Sequence, residues 1–243
     1  MFFKYLKMDF YKMIHSKNFM LHILTPIITI VVFIVYFRVY SSNELLSENI
    51  NKLSICAEVI GMGLPIIIAL VMQFMCEQEE GGNFQNFLTS PGNKCIPYIS
   101  KLVVIFLFGI VAIIITFLGL SIFFSNGVPL ELYFKLIIIM ILSSIILYIV
   151  QFLVVLFWGK GVNIGVGIIG ILIYGLMQTG LGDNIWTYIP WAYAGRISNY
   201  IILGANREMF SEKLWLTVIT YISVLILFGA IFIKKWEGRK WDD

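Results

Sequence analysis

Long apolar runs alternate with short polar stretches along the whole chain, and each run is about as long as a membrane helix. A helix needs roughly 20 apolar residues to cross about 30 Å of hydrocarbon. The fifth run is the shortest and the richest in glycine. The pattern predicts six membrane-spanning helices, at Phe19–Phe37, Ile55–Met75, Leu102–Phe124, Leu136–Phe157, Val162–Thr179 and Leu214–Ile233.

The composition excludes a soluble protein. Hydrophobic residues make up 60% of the 243 positions and charged residues 13%, which is more apolar surface than one soluble core can bury. The net charge is only +3 and the basic residues lie in short flanks, so nucleic-acid binding is not expected. Three cysteines without metal-ligand spacing imply neither a disulfide framework nor a metal site. We therefore predict an all-α integral membrane protein, with residues 1–243 forming one transmembrane domain.

The positions of lysine and arginine predict which ends face the cytoplasm. Eleven of the 17 basic residues lie on the side of the predicted spans that holds the termini, and eight of those eleven flank the termini themselves. Both termini and residues 77–101 are therefore expected to be cytoplasmic, and residues 180–213 to be extracellular.

Residues 1–18 carry a separate helical pattern ahead of the first span. Their apolar side chains fall on one stripe and their lysines fall off it, as in a helix that lies in the membrane surface. The stripe consists of Phe3, Leu6, Phe10, Met13 and Ile14. We expect an amphipathic helix here; a basic flank that only sets the topology is the alternative.

Motifs that resemble catalytic or nucleotide-binding sites lack the context they need. The run GVGIIG at Gly165–Gly170 has the spacing of a dinucleotide fingerprint, but it lies within an apolar span rather than at a strand end. Close helix packing better explains the glycines of this span, which are Gly161, Gly165, Gly167, Gly170 and Gly175. No Walker sequence is present either. The chain is expected not to be an enzyme and to hold no cofactor or metal.

The polar segment at residues 77–101 has more organisation than a simple connection requires. Gly81 and Gly82 are expected to break the preceding helix, and Asn83 to cap a new helix of about two turns. Phe84, Phe87 and Leu88 then form one apolar face, and Ser90-Pro91-Gly92 ends it in a turn. Phenylalanines shown to the cytosol would need a partner to cover them. The alternative is that they fold back into the lipid interface.

The run from Glu80 to Pro91 resembles the signature of permeases of the type 2 ATP-binding-cassette transporters. That signature is an acid, a glycine two residues on, two large apolar residues and a Ser/Thr-Pro turn. The resemblance implies a coupling helix that fits a groove on a separate ATPase dimer, which would bind the ATP and Mg²⁺. It assigns this role to Glu80, Gly82, Phe87, Leu88, Ser90 and Pro91, and the apolar face adds Phe84. Glu79 departs from the pattern, because many members have a basic residue there.

The outer segment, residues 180–213, is unusually apolar and aromatic for a loop. The resemblance implies short helices that re-enter the outer leaflet, and a plain interfacial helix is the alternative. Glu58 lies about one turn inside the outer end of the second span, where it either reaches water or lines a cavity. The candidate substrate-facing residues on this side are Glu58, Asp183, Trp186 and Trp191.

Three stretches resemble permeases of lantibiotic immunity and related antimicrobial-peptide resistance transporters: FYKMIHSKNFMLHILTPI, QEEGGNFQNFLTSPGNK and IPWAY. This resemblance implies an ATP-driven exporter that removes cationic peptides from the bacterial cytoplasmic membrane. It also implies a second, dissimilar permease beside this one, or a second copy of this chain. The alternatives are the export of a drug, lipid-linked molecule or ion, and a membrane sensor or structural partner that transports nothing.

Overall fold

Helices make up nearly the whole of the computed structural model, which describes residues 2–40, 48–88, 94–124, 126–204 and 212–236. No strand occurs among these residues. We number the α-helices in chain order: α1 (Phe2–Ile14), α2 (Lys17–Val39), α3 (Asn49–Glu80), α4 (Gln85–Leu88), α5 (Cys95–Phe123), α6 (Leu130–Phe157), α7 (Gly159–Met177), α8 (Tyr193–Ile202) and α9 (Glu212–Lys235).

Each of the six apolar runs forms a helix that is long and apolar enough to cross a membrane. The predicted spans are therefore confirmed, although most of the helices extend past the apolar runs. Helix α3 has 32 residues and is about 48 Å long at 1.5 Å per residue, well beyond the roughly 30 Å of hydrocarbon. Its last turn carries Glu77, Glu79 and Glu80.

Two ends of the helical bundle can be distinguished by what they carry. One end holds α1, α4 and Trp236, and we call it the α4 end. The other holds the outer segment with α8, and we call it the α8 end. Helices α6 and α7 are joined at the α4 end by a tight turn in which Gly159 has a φ of 93°, a conformation that glycine adopts without steric cost.

Close packing of α3 against α7 explains two of the glycines in the fifth span. A methyl carbon placed on Gly167 would lie 2.8 Å from Cβ of Ala69, and one on Gly170 would lie 2.8 Å from Cβ of Pro65. The packing role predicted for these two glycines is confirmed. A methyl carbon at Gly161, Gly165 or Gly175 would meet nothing within 4 Å among the described residues, so for these three the packing role stays a prediction.

The described part of the outer segment, residues 180–204, folds back into the bundle. Three short 3₁₀ turns, Gly180–Gly182, Trp186–Tyr188 and Pro190–Ala192, lead into α8. Helix α8 packs against α3 and α6, and it buries Tyr193, Ala194, Gly195, Ile197 and Ser198. This arrangement favours the re-entrant prediction over a helix that only lies on the surface.

Of the six membrane-spanning helices, α2 and α9 bury the smallest share of their residues. Helix α2 packs mainly on α5 and much less on α3. Both helices leave rows of valine, isoleucine and leucine exposed along their length. In a bilayer these faces lie against lipid or against another subunit, since neither is covered within the chain.

Candidate functional site

The chain reverses direction immediately after α3. Gly81 keeps a helical conformation, whereas Asn83 and Phe84 have φ angles of 49° and 52°, in a region that costs non-glycine residues about 1 kcal/mol or more. The Phe84 amide donates a hydrogen bond to the Glu79 carbonyl, 2.9 Å away. Helix α3 ends at the predicted position. The residues whose backbone angles reverse the chain, however, are Asn83 and Phe84 rather than the two glycines. Asn83 therefore does not cap α4, whose described part, Gln85–Leu88, is one turn long.

The phenylalanines of this segment are buried, contrary to the prediction that they face the cytosol. Phe84 is 5% exposed and Phe87 is 2% exposed. Both rings lie edge-on to Trp236, with centroids 5.1 Å and 6.1 Å from it. Lys94 Nζ donates to the Trp236 carbonyl at 2.8 Å and holds the tryptophan in place. The end of α9, rather than an external partner or the lipid interface, covers the apolar face of α4.

A polar surface remains exposed beside the buried phenylalanines. Gly81, Gly82, Asn83 and Gln85 are exposed, and Leu88 is half-buried. Ser90 and Pro91 lie outside the described residues, so their predicted turn is not tested. Within the described part of the segment, a partner protein would meet mainly backbone and amide groups.

Glu79 is the centre of a buried ion cluster next to α4. Its carboxylate is 2% exposed and lies 2.6 Å from Lys101 Nζ and 3.2 Å from Lys12 Nζ. Asn86 of α4 donates to the second oxygen of Glu79 at 3.1 Å. A buried carboxylate is stable only when charges and donors compensate it, and here they come from three other helices. Glu79 thus ties α4 to α1 and α5.

The cluster continues from Lys101 to Asp9. Lys101 Nζ lies 3.0 Å from Asp9 Oδ1, and Ser100 Oγ donates to Asp9 Oδ2 at 2.6 Å. Asp9 is 2% exposed. The cluster therefore alternates two acids with two lysines, so that each buried charge has a partner. It fixes α1 against α5 as well as against α3.

Glu80 points to the other side of α3 and joins α7. Its Oε2 lies 2.7 Å from Lys160 Nζ, and the carboxylate is 9% exposed. The Cys76 thiol also donates to its other oxygen at 3.5 Å. The consecutive acids Glu79 and Glu80 thus attach the end of α3 to opposite sides of the bundle.

The sequence did not indicate the cluster of Asp9, Lys12, Glu79 and Lys101. Its members come from three separate segments of the chain. An acid at position 79, where many family members have a basic residue, did not indicate which residue pairs with Glu79. One signal was available. Asp9 lies on the face of α1 that also holds Met13, and both side chains are buried. An acid among apolar positions of an amphipathic helix indicates a buried partner, although it does not identify Lys101.

At the α8 end, Glu58 links three helices. Its Oε1 accepts a hydrogen bond of 2.6 Å from Asn199 of α8, and its backbone carbonyl accepts one of 2.7 Å from the Tyr174 hydroxyl of α7. The side-chain Oδ1 of Asn199 in turn accepts a hydrogen bond from Ser54 Oγ at 3.2 Å. Glu58 is half-buried, and its contacts give it a structural role in fixing α8 against α3 and α7.

The four candidate substrate-facing residues do not form one surface. Asp183 is exposed and pairs with Arg196 Nη1 at 2.9 Å. Trp186 is 6% exposed and packs edge-on to Tyr193, so it is buried in the structure, and its substrate-facing role stays a prediction. Trp191 is half-buried and occupies the space beside Gly170. Glu58 is engaged with Asn199, which leaves Asp183 as the exposed acid of the four.

Arg196 is a further structural residue that the pattern did not reveal. Its Nε donates to the Met177 carbonyl and its Nη2 to the Thr179 carbonyl, both at 2.6 Å. These carbonyls lie at the C-terminal end of α7, where helix carbonyls lack partners within the helix. Arg196 therefore caps α7 and holds the outer segment against it.

Metal chemistry receives no support in the described ranges. No group of three or more histidine, cysteine, aspartate or glutamate side chains there could hold a metal ion. The paired acids and lysines at the α4 end satisfy one another rather than converging on an open position.

The fold and the site define a multi-pass helical membrane protein with a short, firmly anchored helix outside the membrane. Residues 5–182 match the family model of the ABC-2 family transporter proteins. This match covers well over half of the chain, and the chain belongs to that family. None of the curated proteins and none of the solved structures matches it.

Family membership establishes the general role of the chain. It is a membrane permease of an ABC exporter, it is the transport subunit rather than the ATPase, and it works with a cassette ATPase in the bilayer. In this setting α4 lies between the second and third spans, the position that the resemblance assigns to the coupling helix.

Proposed function

We propose that this chain is a permease subunit of an ATP-driven exporter that removes lantibiotics or similar cationic antimicrobial peptides from the bacterial cytoplasmic membrane. The exporter would serve self-immunity or resistance. Its ATPase dimer would bind ATP and Mg²⁺. The three stretches that resemble lantibiotic immunity permeases support this cargo, and the family match supports the exporter itself.

The anchoring of α4 is the observation that carries the coupling part of this proposal. Asn86 bonds to Glu79, and Phe84 and Phe87 lie beneath Trp236. A force applied to α4 therefore reaches α3 and α5 through the ion cluster, and α9 through the aromatic contact. Such two-sided attachment suits a helix that transmits motion, because it leaves little freedom for α4 to move alone.

The contact with the ATPase follows from what α4 leaves exposed. We assign it to the polar surface of Gly81, Gly82, Asn83 and Gln85, together with the half-buried Leu88. Phe84 and Phe87 then hold the coupling helix against Trp236 instead of contacting the ATPase. Glu80 fixes α3 to Lys160 of α7. This assignment replaces the direct docking of phenylalanines that the sequence pattern predicted.

The cargo would be met at the α8 end, which this proposal places outside the cell, with both termini in the cytoplasm. Asp183 is an exposed acid there and would attract a cationic peptide at the membrane surface. The unpartnered apolar faces of α2 and α9 would meet the second permease, either a dissimilar subunit or another copy of this chain.

The test is expression of this chain with its neighbouring ATPase and permease genes in a lantibiotic-sensitive bacterium. We expect increased tolerance to a cationic lantibiotic, and none when the Walker lysine of the ATPase is replaced. Tolerance that rises only for a drug would refute the peptide cargo and leave the exporter intact. Failure of the ATPase to co-purify with the chain would instead contradict the coupling proposal.

A further inference from the structure

Helix α1 turns its one acid inward and two of its lysines outward. Asp9 is 2% exposed and pairs with Lys101 at 3.0 Å. Lys4 and Lys7 are exposed, and neither forms an ion pair with any described residue. They lie three positions apart, where helix side chains are neighbours. This side of α1 therefore carries positive charge without an acid to balance it.

An apolar row borders these two lysines. Phe3, Phe10 and Ile14 stand at i, i+7 and i+11, positions that share one helical face. Their side chains are 83%, 45% and 38% exposed. Such a row is costly in water, whereas it suits the boundary between lipid headgroups and acyl chains. We call the row and the two lysines together the outward face of α1.

The contact between α1 and α5 gives the depth of the outward face. The Phe10 ring lies 5.4 Å from the Phe108 ring, measured between centroids. Phe108 is six residues into the apolar run that begins at Leu102, or about 9 Å along the helix axis. A helix lying in a membrane surface buries its apolar face about 5–10 Å into the interface. Phe10 therefore lies near the level where headgroups meet acyl chains.

The combination of charge and apolar surface at this depth identifies the occupant. A neutral lipid would cover the phenylalanines but leave the lysines without counter-charges. A soluble acidic protein would balance the lysines but leave the apolar row uncovered. An anionic phospholipid satisfies both, because lysine binds phosphate as a point charge and its long stem lets the ammonium reach the headgroup while the row stays among the acyl chains.

We propose that the outward face of α1 is a docking surface for anionic phospholipid. Lys4 and Lys7 contact the headgroup phosphate, and Phe3, Phe10 and Ile14 lie among the acyl chains. The surface is separate from the proposed peptide cargo and does not depend on it.

A lipid seated on the outward face also braces α4, because the opposite side of α1 belongs to the ion cluster. Lys12 Nζ lies 3.2 Å from Glu79 Oε1, and Asn86 of α4 donates to the second oxygen of the same carboxylate at 3.1 Å. Gln78 of α3 donates to the Lys12 carbonyl oxygen at 3.2 Å. Holding α1 on the bilayer therefore restrains the end of α3 and, through Asn86, α4.

The test uses phosphatidylcholine nanodiscs that contain the full chain and a trace of photoreactive lipid. The two probes are phosphatidylglycerol and phosphatidylcholine with the same diazirine-bearing acyl chain. At low salt we expect phosphatidylglycerol to label residues 2–14 about 25-fold more than phosphatidylcholine, the product of about fivefold for each lysine. High salt should reduce the preference, because exposed charges are screened. Equal labelling by the two probes would overturn the proposal.

Variants of the two lysines separate charge from position. Lys4→Gln and Lys7→Gln should each lower labelling by phosphatidylglycerol about fivefold and leave labelling by phosphatidylcholine unchanged. The matched control is the double variant Lys4→Arg with Lys7→Arg, which keeps both charges and should keep the preference. Both side chains are exposed, so the fold should tolerate these changes. A full preference in the double glutamine variant would refute recognition by this pair.

Phe3→Ser tests whether the apolar row enters the bilayer. Phe3 is the most exposed side chain of the row, and its loss should lower labelling of residues 2–14 by both probes. Unchanged labelling by both would mean that the row does not enter the bilayer and that the lysines are free to meet an acidic protein, which would contradict the lipid site.

Hydrogen–deuterium exchange tests the brace on α4. Residues 81–88 should exchange more slowly in nanodiscs that contain phosphatidylglycerol than in phosphatidylcholine alone. The double glutamine variant should lose this difference, and the double arginine variant should keep it. Exchange in residues 81–88 that ignores phosphatidylglycerol, although α1 is labelled by it, would refute the brace.

Discussion

Trp236 and Phe84 meet edge to face, with their ring centroids 5.1 Å apart and their planes at 85°. The contact joins the end of the last span to the turn that follows the second span. Aromatic pairs in this geometry contribute about 0.5–1.5 kcal/mol beyond the area they bury. Because Phe87 lies against the same tryptophan, Trp236 covers both phenylalanines and limits which surface of α4 a partner can reach.

Trp236→Ala should loosen α4 and reduce export. Without the indole ring, Phe84 and Phe87 lose their shared contact, so the segment should open more often. We expect faster hydrogen–deuterium exchange in a peptide that covers residues 81–88, and lower lantibiotic tolerance in cells. Trp215→Ala is the control, since Trp215 lies on α9, the helix that Trp236 directly follows, and is 48% exposed. Similar exchange rates in both variants would show that Trp236 does not hold α4.

Single-cysteine cross-linking should distinguish the exposed surface of α4 from its buried side. Gln85 is exposed and Phe87 is buried, so Gln85→Cys should cross-link to the ATPase, and Phe87→Cys should not. The natural cysteines are all buried and contribute little background. Cross-linking of Phe87→Cys with no reaction at Gln85→Cys would instead support the prediction from the sequence that the phenylalanines contact the ATPase directly.

Lys101→Met should destabilise the protein strongly. It would leave Asp9 and Glu79 as buried acids with less compensation, and breaking a buried pair costs about 3–5 kcal/mol. We expect the unfolding midpoint in detergent to fall by roughly 10 °C. Lys135→Met is the control, because its pair with Glu131 is exposed and contributes about 0.5 kcal/mol or less. Equal midpoints for the two variants would contradict the structural role of the cluster.

The six spans were predictable because hydrophobic length is a local property, and the sequence displays it directly. The sequence also predicted that the helix breaks at Gly81 and Gly82, but not that Asn83 and Phe84 have the positive φ angles. The coverage of Phe84 by Trp236 was not, since nothing near either residue specifies a contact between segments so far apart in the chain. For the same reason the pattern located Glu58 near an interface but did not reveal its bond to Asn199. Local patterns predict elements, whereas partners depend on packing.

Asp183→Asn and Glu58→Gln should have different effects, because only Asp183 is exposed to an approaching peptide. Asp183→Asn should lower tolerance to cationic peptides modestly, and the loss should shrink in higher salt because exposed charges are screened. Its unfolding midpoint should hardly change, since Arg196 keeps its bonds to the α7 carbonyls. A loss of tolerance that does not depend on salt would contradict an electrostatic role for Asp183.

Glu58→Gln should instead lower stability. The amide is a weaker acceptor than the carboxylate for the 2.6 Å bond from Asn199, and hydrogen bonds to charged groups contribute about 1.5–3 kcal/mol. We expect a lower unfolding midpoint with faster exchange in α8. An unchanged midpoint together with reduced tolerance would show that Glu58 contacts cargo rather than fixing the re-entrant helix.

Gly167→Ala and Gly165→Ala provide a matched test of how α7 packs on α3. The two glycines lie on one helix, yet a methyl group at Gly167 would meet Ala69 Cβ at 2.8 Å and the Pro65 carbonyl oxygen at 3.2 Å. Neither atom can rotate away, because one is the first side-chain carbon and the other is backbone. Gly167→Ala should therefore separate the helices and cost about 1–3 kcal/mol, seen as a lower unfolding midpoint.

At Gly165 the methyl group meets open space, and alanine should raise helix stability by up to about 1 kcal/mol. Destabilisation of the same size in both variants would mean that α7 does not approach α3 through Gly167.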